Sequence, residues 1–275
     1  MRATRGIGRV LVTGAAGEIG CVLRKAIADR YRLRATDLVD VDPLEDDEDA
    51  VRADLRVPSE VEATMHDVDV VVHLGGIANE HDWETIAAVN IGGTQAVLEA
   101  ARNAGARRVI LASSVHAVGF HPRWHRIGTD VAPRPDTFYG VSKVAGEALG
   151  RLYAEKYGLE VACLRIASFQ EKPRDRRHLS TWLSHGDLVR LVTACIEAPT
   201  LSPLSVGNFC ILNAISANTR RWMDESGWAH IGYVPVDDAE QHAHSVEHVH
   251  GPDDDITEQV QGGFFAAPNY RGSAG

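Results

Sequence analysis

The chain has 275 residues, 44% of them hydrophobic and 24% charged, with a formal net charge of −10 at pH 7. That length can bury a sizeable core in one large domain or two small ones, and the composition is that of an ordinary globular protein. The acidic balance, with no Lys/Arg-rich run, excludes a nucleic-acid partner, and no apolar run nears the roughly 20 residues of a membrane helix, so no membrane partner is expected.

The N-terminus passes within a few residues into a strand, Val10-Leu11-Val12-Thr13. That leaves no room for a signal peptide, and the expected localisation is cytoplasmic. Gly14-Ala15-Ala16-Gly17-Glu18-Ile19-Gly20 follows directly, then a helical period to about Asp29 with Val22, Leu23, Ala26 and Ile27 inward. Strand, glycine turn and helix together form a phosphate-binding pattern. The glycines let the backbone turn tightly and approach a pyrophosphate, which amides at the helix N-terminus hold. Gly14, Ala16, Gly17, Glu18, Ile19 and Gly20 are therefore cofactor-binding candidates. The second strand, about Arg32 to Thr36, ends at Asp37, near the distance at which a carboxylate meets an adenosine ribose. No arginine follows directly, which favours NAD over NADP. The acidic run from Glu45 to Asp49 reads as a solvated loop.

Ala50–Leu55 reads as a third strand that ends at Asp54-Leu55, a place to pin the adenine, and residues 58–65 as a short helix. Asp69–Leu74 is a continuous apolar run, as buried parallel strands tend to be. It ends in Leu74-Gly75-Gly76, where backbone can pass close to a cofactor. A helix from about Thr85 to Ala104 carries Asn90, a further cofactor-side candidate, and is closed by Gly105. The next strand, Val109–Ala112, delivers Ser113-Ser114. After a loop rich in glycine and proline, Asp136 is placed to cap a helix through Tyr139 and Lys143 to about Tyr157, which stops at Gly158. Residues four apart share a helix face, so Lys143 sets an ammonium one turn from the Tyr139 phenol. Such a neighbour favours the phenolate and makes a usable general base for a substrate hydroxyl.

Glu160–Ile166 is a sixth strand. Strand and helix alternate over residues 9–166, the signature of an α/β, Rossmann-type doubly wound parallel sheet. Ligands in such sheets bind beyond the carboxyl ends of the strands, and Gly14, Asp37, Gly75, Ser114 and Ser168 all stand at such ends. The remainder is less regular. Asp187–Ala198 reads as a helix, Leu204–Leu212 as a strand, and the Gly- and Asp-rich end from Gly251 as partly mobile. The organisation expected is a dinucleotide-binding body over residues 1–170 and a smaller substrate-binding part over 171–275 that does not fold independently. Cys21, Cys163, Cys195 and Cys210 are widely spaced and read as reduced thiols, not a disulfide framework or zinc site. The histidines between His242 and His250 lack partners at ligand spacing, so no metal is expected.

Thr-Gly-Ala-Ala-Gly-Glu-Ile-Gly, the Ser113-Ser114 strand end and Tyr139-x-x-x-Lys143 together resemble the extended short-chain dehydrogenase/reductase family, the NAD-dependent epimerases/dehydratases. Within it the chain is most similar to uronate dehydrogenases. The likeness runs through His73-Leu74-Gly75-Gly76-Ile77, Ser113-Ser114-Val115-His116, Arg134-Pro135-Asp136, Leu179-Ser180-Thr181-Trp182, Ser216-Ala217-Asn218 and Gln261-Gly262-Gly263. The resemblance implies Tyr139 as base, Lys143 as its electrostatic partner and holder of the nicotinamide ribose, and Ser114 as hydrogen-bonder to the reacting oxygen. It implies that Ala78, Val115, His116, Ser168 and Arg177 line the substrate pocket, with Arg177 set for a sugar carboxylate. Two positions depart from the pattern: Ala78 stands where a serine is usual, and Val115 where an asparagine is usual. The activity implied is NAD-dependent oxidation of the anomeric hydroxyl of a hexuronate to an aldarolactone, in a homo-oligomer acting on a small sugar acid. A neutral aldose is the alternative substrate, and a nucleotide-sugar epimerase/dehydratase or a non-catalytic NAD-binding protein are the readings ranked below it.

Overall fold

The structure, a computed structural model, describes residues 7–44, 48–201, 208–249 and 255–272. Seven parallel strands form the central sheet: β1 (Arg9–Thr13), β2 (Arg32–Asp37), β3 (Asp49–Arg52), β4 (Val68–His73), β5 (Arg108–Ser114), β6 (Glu160–Ile166) and an edge strand, Phe209–Ala214. Their order across the sheet is β3-β2-β1-β4-β5-β6 and then the edge strand, so the chain turns back between β1 and β4. The edge strand lies later than the one expected over 204–212; residues 202–207 are outside the described residues.

Each strand sends alternate residues to opposite faces, and the helices cover both. On one side Val10, Val12, Val70, Val72, Ile110 and Leu164 meet helix α1 (Glu18–Ile27) and the later helix His185–Glu197. On the other, Leu11, Val71, Val109, Leu111 and Cys163 meet α2 (Pro58–Ala63), Gly93–Ala104 and the long helix Phe138–Tyr157. The expected doubly wound sheet is therefore present in full. All four cysteines are free, and burial pushes the Cys210 thiol up to about 12. No helix among the described residues is long and apolar enough to cross a membrane.

Three local departures bear on the site. The helix expected over 85–104 begins as Trp83–Ile86, widens into a π-helical turn at Ala87–Gly92, and resumes as an α-helix to Ala104. Such a turn re-aims side chains and occurs at functional sites; here it carries Asn90. The helix bearing Tyr139 is capped by Thr137, whose side chain accepts from Gly140 N at 2.9 Å, not by Asp136. Finally, residues 255–272, expected to be loose, pack against the body: Gln261 is fully buried, and Ile256, Val260 and Ala266 form a small core joined by Phe120 and Tyr270.

Candidate active site

The glycine turn after β1 is shaped by close approach. Gly14 has φ +68°, and a Cβ there would lie 2.7 Å from Gly75 N, so the glycine turn and the loop after β4 touch backbone to backbone. A Cβ on Gly20 would lie 2.3 Å from Gly14 O, which only a glycine avoids at this helix–turn contact. At Gly17 an added Cβ would press on Gly14 O at 3.2 Å, closer than an ordinary contact, and meet nothing else within 4 Å. Asp37 Oδ2 accepts from Ala16 N at 3.0 Å and Oδ1 from Leu38 N at 2.7 Å. A carboxylate has about four acceptor positions, so two remain for ribose hydroxyls. The turn and Asp37 thus fit the bed of a dinucleotide.

Beneath this bed lies a fully satisfied polar chain. Thr94 Oγ1 donates to Asn90 O at 2.6 Å, so His73 Nε2, 3.2 Å away, must donate to Thr94. His73 Nδ1 then accepts from Thr13 Oγ1 at 2.7 Å, and Thr13 Oγ1 in turn receives Gly75 N at 3.2 Å. Burial first, and the Lys143 charge second, depress the His73 imidazole to about 3, so it is neutral and its tautomer is fixed.

Lys143 Nζ lies 5.3 Å from the Tyr139 ring centroid and donates to Ala112 O, just before the end of β5, at 2.8 Å. Glu147, one further turn along the same helix face, receives Ser113 Oγ at 2.7 Å and a two-pronged contact from Arg165 at 2.9 and 3.0 Å. This buried cluster holds the helix against β5 and β6 directly beneath Ser114. The start of the helix is held by Glu80, whose carboxylate accepts from Phe138 N and Tyr139 N at 3.0 and 2.9 Å.

Ser114, His116, Tyr139, Lys143, Ser168 and Arg177 all line one cleft of about 470 Å³. Glu18, Ile19, Leu74, Gly76 and Ala78 line its cofactor-side wall. Arg177 is held inside by Ser168, which accepts from Nη1 at 3.1 Å, and by the Gln261 carbonyl, which accepts from Nη2. No carboxylate among the described residues forms an ion pair with it, and burial pushes its guanidinium down to about 10, so it stays charged near neutrality. His116 stacks on Phe265 at 4.2 Å between centroids and meets Tyr139 edge-on at 5.7 Å. Its Nδ1 donates to Asp136 Oδ2 at 2.8 Å, and the Asp136 side chain is completely buried.

Other expected residues are not in the lining of this cleft. Val115 is in the hydrophobic core, 3% exposed, because the chain leaves β5 through a 3₁₀ turn (Val115–Val118) that points it inward. Its difference from asparagine therefore removes nothing from the cleft lining. Asn90 accepts from Ile77 N at 2.8 Å and donates to Ile77 O and Ser142 Oγ at 2.9 and 3.1 Å. It clamps the loop after β4 to the Tyr139 helix instead of facing open space. The Asp54 carboxylate is engaged by Arg56 on both oxygens, which holds it below the usual carboxylate range. Leu55 packs under the glycines: a Cβ on Gly75 would come within 2.8 Å of its Cδ1. Missed from the sequence were Glu80, Asp136 as a partner of His116, and Phe265 with Gly262 in the cleft wall. The last of these lie in a segment without periodicity, whose only signal was Gln261-Gly262-Gly263.

The sequence profile of the NAD dependent epimerase/dehydratase family matches residues 10–198. A uronate dehydrogenase from Agrobacterium fabrum is 41% identical over 94% of this chain and 96% of its own length. A crystal structure of uronate dehydrogenase from Agrobacterium tumefaciens superposes with a TM-score of 0.88 at 40% identity, covering 95% of this chain and 97% of that one. A point mutant of the Agrobacterium tumefaciens enzyme, complexed with NAD, superposes equally well, with a TM-score of 0.88 at 40% identity over 94% of this chain and 97% of that one. The chain thus belongs to the NAD-dependent epimerase/dehydratase family, the extended short-chain dehydrogenases/reductases, as an NAD-dependent oxidoreductase.

Proposed function

We propose that this enzyme oxidises the anomeric hydroxyl of a cyclic hexuronate to an aldarolactone. The observation that carries the substrate reading is Arg177, a charged guanidinium inside the cleft that forms no ion pair with a carboxylate of the described residues. A guanidinium offers a carboxylate a planar two-pronged match, and the relatives named uronate dehydrogenases support the same reading.

The glycine turn and Asp37 would hold NAD⁺, which would supply the hydride acceptor when bound. Tyr139 takes the proton of the anomeric hydroxyl as the C1–H bond breaks, and the oxygen becomes the lactone carbonyl. Lys143 puts positive charge beside the phenol that gives and takes this proton. Ser114 donates to the same oxygen as its charge changes. Ser168 and Arg177 orient the sugar by its carboxylate, and His116 presents its free edge to a ring hydroxyl. Glu80, Asn90 and Glu147 act through the others by fixing the Tyr139 helix. We read residues 171–275 as a substrate-binding part that does not fold alone, a reading supported by the pairing of their strand Phe209–Ala214 with β6. A homo-oligomer working in the cytoplasm is the setting we infer.

A neutral aldose is the second reading. It rests on Ala78, which lines the cleft without a hydrogen-bonding group. Initial rates over a panel of uronates and neutral aldoses decide between them. Arg177→Ala should lower kcat/KM by about 100-fold or more for uronates, the scale expected when a charged hydrogen bond inside a cleft is removed, with little change for neutral sugars. Equal losses on both classes would remove the carboxylate role. Tyr139→Phe should abolish turnover while NAD still binds; retained turnover would remove the base assignment.

A further inference from the structure

Arg177 walls two cavities. Beside the cleft lies a second cavity of about 370 Å³ lined by Arg123, Arg176, Arg177, Ser180, Arg220 and Trp222, and it shares Asp175, Arg177 and Phe264 with the cleft. Two of its arginines are largely buried and share one face of the cavity wall. The Arg123 side chain is 14% exposed. It donates from Nη1 to Glu258 at 2.8 Å and from Nε to Val260 O at 3.3 Å, while its buried Nη2 has no partner among the described residues. Arg177 Nε is likewise buried without a partner. Both guanidiniums face one indole, 4.8 Å and 5.8 Å from the Trp222 ring centroid. Burial, then the charge of Arg123, depress the Arg177 guanidinium, while Asp175, Asp136 and Glu258 act the other way. The cavity also holds two carboxylates, Glu258 paired with Arg123 and Asp175 accepting from His178 N at 3.1 Å, while Glu240 and Glu247 pair with Arg220 at 2.7 and 2.9 Å.

We propose that this second cavity is a subsite for a small oxyanion, a phosphate or polycarboxylate group, whose occupancy is felt in the cleft through Arg177. Its volume is that of a small-molecule site, and an anion there would satisfy the unpartnered Arg123 donor and relieve the repulsion between the two guanidiniums. Because Arg177 serves both sides, an anion drawing on it loosens its hold on the substrate carboxylate. Only this coupling rests on the uronate reading; the binding itself does not.

Calorimetric titration of inorganic phosphate into the whole chain at constant ionic strength, without sugar, tests the site. Saturable binding that weakens about tenfold or more in Arg123→Met is expected, with Arg126→Gln, whose partner Glu225 lies elsewhere, unchanged. If Arg123→Met fails to fold, Arg220→Gln, on the exposed rim, decides in the same way. Citrate titrated alongside tells the two sources apart: tighter citrate binding means a polycarboxylate ligand, tighter phosphate binding a phosphorylated one. Binding that does not saturate, or that Arg123→Met leaves unchanged, marks an adventitious ion only and overturns the proposal. In rate measurements phosphate should raise KM for a uronate, leave kcat alone, and lose that effect in Arg123→Met. Unchanged KM with saturable binding would overturn the coupling, whereas phosphate binding in a protein inactive on every uronate would overturn the substrate reading and leave the subsite standing.

Discussion

The sharpest test of how the pocket is built is Asp136→Asn. In the native protein this fully buried carboxylate accepts from His116 Nδ1 at 2.8 Å and from the Thr137 hydroxyl at 3.1 Å. It is wedged between two backbones, since a Cβ on Gly119 or Gly262 would fall within 2 Å of Oδ2. One group therefore joins the turn bearing His116, the start of the Tyr139 helix and the C-terminal wall. Being an acceptor only, it forces the proton onto Nδ1 and leaves Nε2 free to meet a substrate hydroxyl. Asparagine keeps the volume but turns a charge-assisted bond into a neutral one, a difference of about 1–1.5 kcal/mol. It also lets the amide face the imidazole and select the wrong tautomer. The expected loss is about tenfold in kcat/KM, expressed chiefly in KM for the sugar, with NAD affinity unchanged. If Asp136 acts through His116, adding the substitution to His116→Ala should cost little more. Steady-state kinetics on the two single variants and the double variant make the measurement. A single variant within twofold of the parent, or fully additive losses, would refute the reasoning.

Other outcomes follow from the cofactor side. Gly14→Ala forces a side chain into φ +68° and against Gly75 N, a strain of about 1–3 kcal/mol. NAD binding followed by fluorescence should weaken by about tenfold or more, and unchanged affinity would show that the turn can relax. His73 bears on acid stability: its folded value, about 3, lies below the ordinary imidazole value of 6.5. Its contribution is whole above about pH 6.5 and is lost as pH falls toward about 3, because only the unfolded chain takes up the proton, with a slope of at most about 1.4 kcal/mol per pH unit. Urea midpoints near pH 7 and pH 5 should differ in the native protein and differ less in His73→Gln; equal differences would mean that this histidine is not the sensor.

The sheet was legible because its order comes from local patterns: apolar runs, glycine turns and helical periods each occupy a few neighbouring residues. Ser114, Tyr139 and Lys143 were legible for the same reason, standing at a strand end and on one helix face. What escaped were residues whose partners are distant in sequence. Glu80 looks like any loop acid until it meets the first amides of a helix more than 50 residues on. Asp136 reads equally well as a cap, and only the fold shows Thr137 in that place and Asp136 against His116. Val115 misleads because the alternation of β5 ends one residue earlier, where a 3₁₀ turn rotates it into the core. Asn90 lies on a π-helical turn, for which the 3.6-residue period has no signal.

The clasp between Arg177 and Gln261 also sets an order of events during synthesis. By residue 166 the segments of the nucleotide bed have been made, while the carbonyl that seats Arg177 belongs to residue 261. At ribosomal rates of roughly 5–20 residues per second, the clasp arrives about 5–20 s after the bed. Through that interval Arg177 lacks one of the two oxygen atoms that hold it.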